Sequence, residues 1–480
     1  MPASILRLLS SLALGIALAG CMVGPRYARP VPQAPDAWSA PQPHGGSVRA
    51  MDGWWSQFDD PAMAKLVALA ETDSPTLAQA WAAISRARAS QRSTDAGLLP
   101  AANGNASTTR SGQGDAAVTS TRTGAVDASW EIDLFGKLRQ QSQAADARVD
   151  ARIDDWHDAR ISLAAEVADT YVQFRACELL VNAYQREVAS IRATDKATSD
   201  MVQAGFTAPA EAALSSASVA STASTLISQQ AQCDLMVKSL VALTGQQETG
   251  LRTLLAQGHG HLPQPAVLDV PVVPADMLRQ RPDLAALERE LAAASAEIGA
   301  AKADLYPSLS LSGSISASAS DLVSGNPGWS FGPSLSIPLF DGGRRRAGID
   351  SAQAGYDSAL ASYRWGVRQA VKDVEQALVT LDRTGRQAEQ AARAALDYER
   401  YLQTSEVKWR AGSDSLLTLE QNRRAALSAE VQELTLQRER VQAWISLYKA
   451  LGGGWSEGMP AQQREAAVTP MTKHIFGESP

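Results

Sequence analysis

Four landmarks recur along this chain at one spacing. Pro75 and Pro282, Pro100 and Pro307, and Gly205 and Gly412 are each 207 residues apart, and Phe135 and Phe340 are 205 apart. The words around them correspond in order: SPTLAQAW with RPDLAALE, LLPAANGNAS with DLYPSLSLS, IDLFGKLR with IPLFDGGR, and QAGFTAP with RAGSDSL. A chain of 480 residues is too long for one ordinary domain of about 100–200 residues. The steady offset makes it a tandem repeat, so what one half folds into the other half must fold into as well.

Each half reads the same way. A helix begins at Pro75 or Pro282, where proline suits the first helical position and Ser74 offers an N-cap. Pro100 and Pro307 end these helices. Two period-two stretches follow, 101–109 and 124–134 in the first half, 308–318 and 329–339 in the second. In GAVDASWEIDLF, Val126, Ala128, Trp130, Ile132 and Leu134 share one side and Asp127, Ser129, Glu131 and Asp133 the other. In YPSLSLSGSISASAS, Leu309, Leu311 and Ile315 alternate with Ser310, Ser312, Ser314 and Ser316. Trp329, Phe331, Leu335, Ile337 and Leu339 fall together in the same manner. Such alternation predicts half-buried strands.

A long helix follows each second strand. Gly136 to Gly205 and Gly343 to Gly412 are both 69 residues, roughly 100 Å of helix at about 1.5 Å per residue. Leu163, Val167, Thr170, Phe174, Cys177, Val181, Tyr184, Val188 and Ile191 recur in steps of four and three, which is coiled-coil spacing. Beyond Gly205 a second stripe runs Val219, Thr222, Leu226, Gln229, Cys233, Met236, Leu240 and Leu243. Gly205 and Gly412 therefore mark tips at which antiparallel hairpins turn back. Cys177 lies 28 residues before Gly205 and Cys233 lies 28 after it, both on inward stripes. They form a candidate disulfide; the alternative is two buried free thiols.

The strands have the length that crosses a bilayer when tilted, and apolar-out, polar-in alternation marks an outer-membrane barrel. Four strands do not close a barrel, and open edges are not tolerated in lipid. Several chains must share one barrel. Two would supply eight strands and three would supply twelve; a conduit favours three.

The first residues, MPASILRLLSSLALGIALAGC, hold one basic residue, Arg7, a short apolar run and small residues ending at Cys21, as a secretory signal does. LAGC resembles a bacterial lipobox, which makes Cys21 the lipidated first residue of the mature chain; the alternative is an ordinary signal peptide. Met22 at the next position favours the outer membrane under lipoprotein sorting rules. No other run is long and apolar enough for a transmembrane helix. Net charge of −7, without a dense basic patch, excludes nucleic acid as partner. Catalytic readings fare poorly. GHGH, with His259 and His261, lacks a third metal ligand nearby and reads as a flexible loop, and LGGGW is no phosphate loop. The expectation is no enzyme, no metal and no cofactor beyond covalent lipid on Cys21. Arg344–Arg346 read either as a headgroup-seeking cluster or as a solvated helical face.

Five separated segments carry a resemblance. They are CMVGPRYARPVPQAPDAW, GWWSQFDDPAMAKLVALA, RPDLAALERELAAASAEIGAAKADLYPSLSLSG, SIPLFDGGRRRAGIDSAQAGYDSALASYR and WRAGSDSLLTLEQ. Together they are similar to the outer-membrane efflux factors, more narrowly the NodT-like lipoprotein branch of the TolC-like family. The resemblance implies an α+β membrane protein: long coiled-coil hairpins plus four strands per chain in a trimeric twelve-stranded barrel in the outer membrane of a Gram-negative bacterium. It implies a helical tunnel through the periplasm, a periplasmic adaptor and an inner-membrane pump of the resistance–nodulation–division type. The chain would be the passive exit duct for small toxic compounds. Metal efflux, protein secretion, or a non-transport structural envelope lipoprotein are the alternatives.

The resemblance also assigns residues. The tips, Gly205, Phe206 and Thr207 with Gly412 and Ser413, would dock the adaptor. Asp414 and Leu417 would form constricting rings of a periplasmic gate. Leu309, Leu311, Ile315, Trp329 and Phe331 would face lipid. Where the family often has a second aspartate this chain has Gln421, beside Glu420. The expected organisation is a signal peptide at 1–20, a lipid-anchored tether at 21–55, a first repeat at 56–250, a linker at 251–274, a second repeat at 275–455 and a polar tail at 456–480.

Overall fold

The structure is a computed structural model and describes residues 22–31, 35, 38–40, 55, 58–112, 114, 118–265, 280–321, 325 and 327–455. The segments expected as signal peptide and polar tail, Cys21, and parts of the expected tether and inter-repeat linker lie outside the described residues. The elements run α1 (Pro61–Thr72), α2 (Pro75–Ala96), β1 (Ala101–Ser111), β2 (Thr119–Ile132), α3 (Lys137–Gln203), α4 (Pro209–Thr244), α5 (Glu248–Leu255), α6 (Pro282–Ala303), β3 (Ser308–Ser320), β4 (Pro327–Ser336), α7 (Arg344–Arg410) and α8 (Leu416–Ala450). The chain forms two compact units that do not follow the repeats. One comprises Met1–Val31, Ala82–Asp155 and Asp283–Gly366; the other comprises Pro32–Trp81, Trp156–Pro282 and Val367–Pro480. Each unit thus draws on both halves of the sequence.

The first unit holds an antiparallel sheet in the order β1-β2-β3-β4. Its register sorts the side chains by chemistry. Ile132, Leu309 and Leu335 share one row, and Trp130, Leu311 and Pro333 the next on the same face. Two further rows of that face are Ala128, Gly313 and Phe331, then Val126, Ile315 and Trp329. On the opposite face Asn103, Asp127, Ser314 and Ser330 align. There Asn105 Nδ2 donates to Asp127 Oδ2 at 2.8 Å, and the Ser314 and Ser330 hydroxyls lie 2.9 Å apart. Period two makes this separation automatic once the register is right.

Strand ends differ from the expectation. β4 stops at Ser336, so Ile337 and Leu339 lie beyond it, and β2 stops at Ile132, leaving Leu134 outside. Pro338 has no N–H for a ladder and restricts the residue before it, which ends β4 early. β2 begins at Thr119, five residues before the alternation becomes visible at Gly124.

The helices of this unit are joined by ion pairs. Arg148 and Arg152 of α3 both meet Glu290 of α6, and Arg148 also pairs with Glu297. The described start of the tether is docked here and does not hang free. Val23 N donates to Phe135 O at 3.1 Å, and the Tyr27 hydroxyl donates to the Glu288 carboxylate. Burial, then the hydrogen bond to Glu288, holds the Tyr27 hydroxyl well above the ordinary tyrosine range.

In the second unit the first predicted stripe is largely buried, while of the second stripe only Leu240 is buried and the rest are half-buried. Leu163, Val167, Phe174, Cys177, Val188 and Ile191 are buried, and Thr170, Val181 and Tyr184 are half-buried. Cys177 and Cys233 are joined by a disulfide with Cα atoms 5.6 Å apart. In the GHGH loop, read from the sequence as flexible, one histidine makes a contact to α3. His259 Nδ1 lies 2.8 Å from Glu178, which pairs with the buried Arg175. Arg175 in turn donates to Tyr171 Oη at 2.8 Å, and Tyr171 donates to Asp60. Burial raises the Tyr171 hydroxyl above its usual range.

Candidate functional site

The two hairpin tips are built alike. At the first, Gly205 N donates to Val202 O and Phe206 N to Met201 O; at the second, Gly412 N donates to Trp409 O and Ser413 N to Lys408 O. These paired bonds cap the last carbonyls of a helix and need a left-handed residue. Gly205 has φ of 79° and Gly412 of 72°. A Cβ at either would meet open space, so backbone conformation and not room explains the glycine.

The surfaces differ. The first tip presents Phe206 at 83% exposure, beside half-buried Thr207. The second presents polar groups. Asp414 is half-buried and accepts from Ser415 N at 3.0 Å and from the Ser405 hydroxyl at 3.5 Å. Ser415 caps α8 by accepting from Thr418 N at 3.1 Å. Leu416 and Leu419 turn inward, while Leu417 is exposed. Asp414 and Leu417 thus lie at the start of α8, one half-satisfied within the chain and the other uncovered.

A charge cluster near this tip was not foreseen. Arg423 is 1% exposed. Its guanidinium reaches Glu420 on its own helix at 2.5 Å and Glu406 of α7 at 3.3 Å. It also donates to the hydroxyls of Ser190 and Thr194 on α3, both at 3.2 Å, and lies 3.9 Å from Glu187 of that helix. One arginine therefore binds the first hairpin to the second. Burial pushes the Glu187 carboxyl up to about 7; Arg423 lowers it, and Glu420, Glu406 and Glu430 raise it. Three carboxylates around one cation leave excess negative charge, and holding a proton on Glu187 relieves it. Glu420, the residue beside Gln421, is buried and paired with Arg423.

Sequence signals for this cluster were thin. The Glu420–Arg423 spacing on one helix was visible, but Glu187 and Glu406 join it only through packing. Of the expected strand residues, Ile315, Trp329 and Phe331 are exposed on the apolar face, and Leu309 and Leu311 are half-buried there. Among the described residues no group of three or more metal-ligating side chains is assembled, and no helix is long and apolar enough to cross a membrane.

Comparison with known proteins places this architecture. The family model "Outer membrane efflux protein" matches residues 66–246 and again 273–453. Nodulation protein T of Rhizobium leguminosarum bv. trifolii is 31% identical over 92% of this chain and 96% of its own. Outer membrane protein OprJ of Pseudomonas aeruginosa is 31% identical over 94% of this chain and 96% of its own. Other relatives carry names for solvent efflux in Pseudomonas putida and cation efflux in Escherichia coli. The fold matches the Campylobacter jejuni CmeC outer membrane channel with a TM-score of 0.84 at 21% identity, covering 95% of this chain and 99% of that one. The double family match, the sheet with one apolar and one polar face, and the paired helical hairpins agree, and the chain belongs to the outer membrane efflux protein family.

Proposed function

We infer that this chain is the outer-membrane exit duct of a tripartite efflux system. The observation that carries the reading is the open four-stranded sheet. Its outer strands β1 and β4 each have one unpaired side within the chain, and its apolar residues share one face. An open edge is not stable in hydrocarbon, so copies must pair β4 with β1 until the sheet closes. Three copies give twelve strands with serine, asparagine and aspartate lining the lumen. Exposed apolar side chains on α7, such as Trp365, Leu396 and Tyr401, are consistent with helices packing between copies.

In this reading Cys21 carries the lipid, the tips at Gly205–Thr207 and Gly412–Ser413 dock a periplasmic adaptor, and Asp414 and Leu417 form rings around the threefold axis. A carboxylate ring favours cations over anions. An inner-membrane pump of the resistance–nodulation–division type supplies the energy and selects the cargo, so lumen chemistry need not match one substrate. Small toxic compounds are the cargo this reading favours. The relative named for cation efflux keeps metal export as the second reading. A purely structural lipoprotein would not need segregated sheet faces.

Two experiments test it. Deletion in a strain with an active cognate pump and no redundant duct is expected to raise sensitivity to at least one toxic compound; unchanged sensitivity across a broad panel refutes efflux. Arginine at Leu311 is expected to cost roughly 2–4 kcal/mol by placing charge against lipid, whereas Ser312→Arg lies on the polar face and is tolerated. Equal assembly of the two variants in native gels would overturn the assignment of faces.

A further inference from the structure

The strands of the sheet do not end level. Followed at right angles to the strands, the pairing runs from Ala101 at the start of β1 through Ser129 and Ser312 to Gly332. β2 continues to Ile132, β3 begins at Ser308 and β4 continues to Ser336, so each reaches three or four residues past that line toward the helices. The far end is offset in the same sense. Ser111 ends β1 opposite Thr119, the first residue of β2. Ser320 ends β3 opposite Thr121, whose partner on β1 is Thr109, two residues short of Ser111. Pro327 begins β4 on the line through Ala317 and Gly124 to Ala106, five residues short. Averaged over both ends, the strands slip by about 1.5 residues per step around the sheet. At about 3.3 Å per residue and about 4.8 Å between strands, that slip tilts them by roughly 45°, a tilt at which barrels close.

In a barrel of three identical copies the slip repeats over four steps per copy, three within the chain and one across to the next, which makes about six residues. The slip must be even, because an odd one would set polar-face residues of β4 opposite apolar-face residues of β1. Without slip Ser330 lies on the line of Asn103. Six residues along β1, away from the helices, is Thr109. In this register the large side chains of Leu335, Phe331 and Trp329, all exposed within one chain, meet Gly104, Thr108 and Arg110 of the next copy. A Cβ on Gly104 would meet nothing within 4 Å, so the room is there. Large against small is already the rule inside the chain, where a Cβ on Gly313 would meet Phe331 Cδ2 at 3.2 Å. Arg110 lies on the apolar face by alternation, and an indole beside a guanidinium is a favourable pair.

We propose that β4 joins β1 of the next copy with Ser330 opposite Thr109 and Trp329 against Arg110. This rests on the outer-membrane channel reading and adds to it the register of the contact between copies.

The test is disulfide cross-linking of the full chain in outer membranes, read on non-reducing denaturing gels. Residues directly opposite have Cα atoms about 4.5–5.5 Å apart, within reach of a disulfide, whereas a neighbour two residues along is about 8 Å away. β1 and β4 of one chain are three strand spacings apart, roughly 14 Å, so any link joins two copies. Thr109→Cys with Ser330→Cys is expected to link at least about fivefold more than Ser107→Cys with Ser330→Cys or Asn103→Cys with Ser330→Cys. Preferential linking of either comparison pair, or a trimer in which none of the three links, overturns the register and leaves the channel reading standing. A membrane-inserted chain that stays monomeric defeats the channel reading itself. Arg110→Ala and Trp329→Ala should each lower the melting temperature of the trimer, and the double variant should lower it no further than the larger single effect. Fully additive losses overturn the contact between these two side chains.

Discussion

The two hairpins are near-copies in length and differ in how they are fastened. α3 and α4 have 67 and 36 residues; α7 and α8 have 67 and 35. Both turn on a glycine with the same pair of capping bonds. The first hairpin is closed on itself by the Cys177–Cys233 bond. The second has no cysteine. Around its tip it is held by polar side chains: Ser405 receives a hydrogen bond from Asn422 at 2.9 Å, and Arg423 ties α8 to α7 and to α3. The two hairpins share their geometry and differ in their fastening. A covalent bond is indifferent to pH and salt. A buried ionic clamp is not, so the fastening of the second hairpin is the one that responds to pH and salt.

The strongest way to break this comparison is Arg423→Leu. It strands Glu187, Glu406 and Glu420 without their cation, a change expected to cost about 3–5 kcal/mol. Thermal unfolding should show the loss, and spin labels on α4 and α8 should show the tips separating. Tips that stay together would mean that the clamp does not join the hairpins. Next in size is removal of the disulfide by Cys177→Ser with Cys233→Ser, expected to cost about 2–4 kcal/mol. That loss should be the same at pH 5.5 and pH 8 (~two settings either side of the clamp's titration), and a loss that varies strongly with pH contradicts a purely covalent role.

The smallest effect sharpens the contrast. Glu187 has its carboxyl raised from 4.5 to about 7, so the clamped arrangement takes up a proton across that interval. The clamp is strongest at the acid end of the window and weakens as pH rises through about 7. Glu187→Gln mimics the protonated form and should flatten the dependence of tip separation on pH between 5 and 8, a window of roughly three units. A wild-type protein with no pH dependence over that range would show that Glu187 does not control the clamp.

Much of the architecture was legible because it is local. Alternation in YPSLSLSGSISASAS, steps of three and four from Leu163 to Ile191, and glycines at 205 and 412 each reflect a period or a turn within a few residues. The equal spacing of Cys177 and Cys233 about Gly205 was readable for the same reason, since an antiparallel hairpin converts sequence distance from its tip into height. Strand ends were less legible. Ile337 and Leu339 continue the period of β4 but sit around Pro338, whose missing donor outweighs the pattern.

The sequence by itself determined that the chain is a repeat of strand pairs and long hairpins, because periodicity and backbone stereochemistry act over one or two turns. Only the tertiary structure decided that β2 pairs with β3 from Thr121–Ser320 to Ile132–Leu309, that each compact unit takes segments from both repeats, and that Arg423 gathers Glu187 and Glu406. Those contacts join residues far apart in the chain, and their energy arises from burial and charge that exist only after the helices have packed.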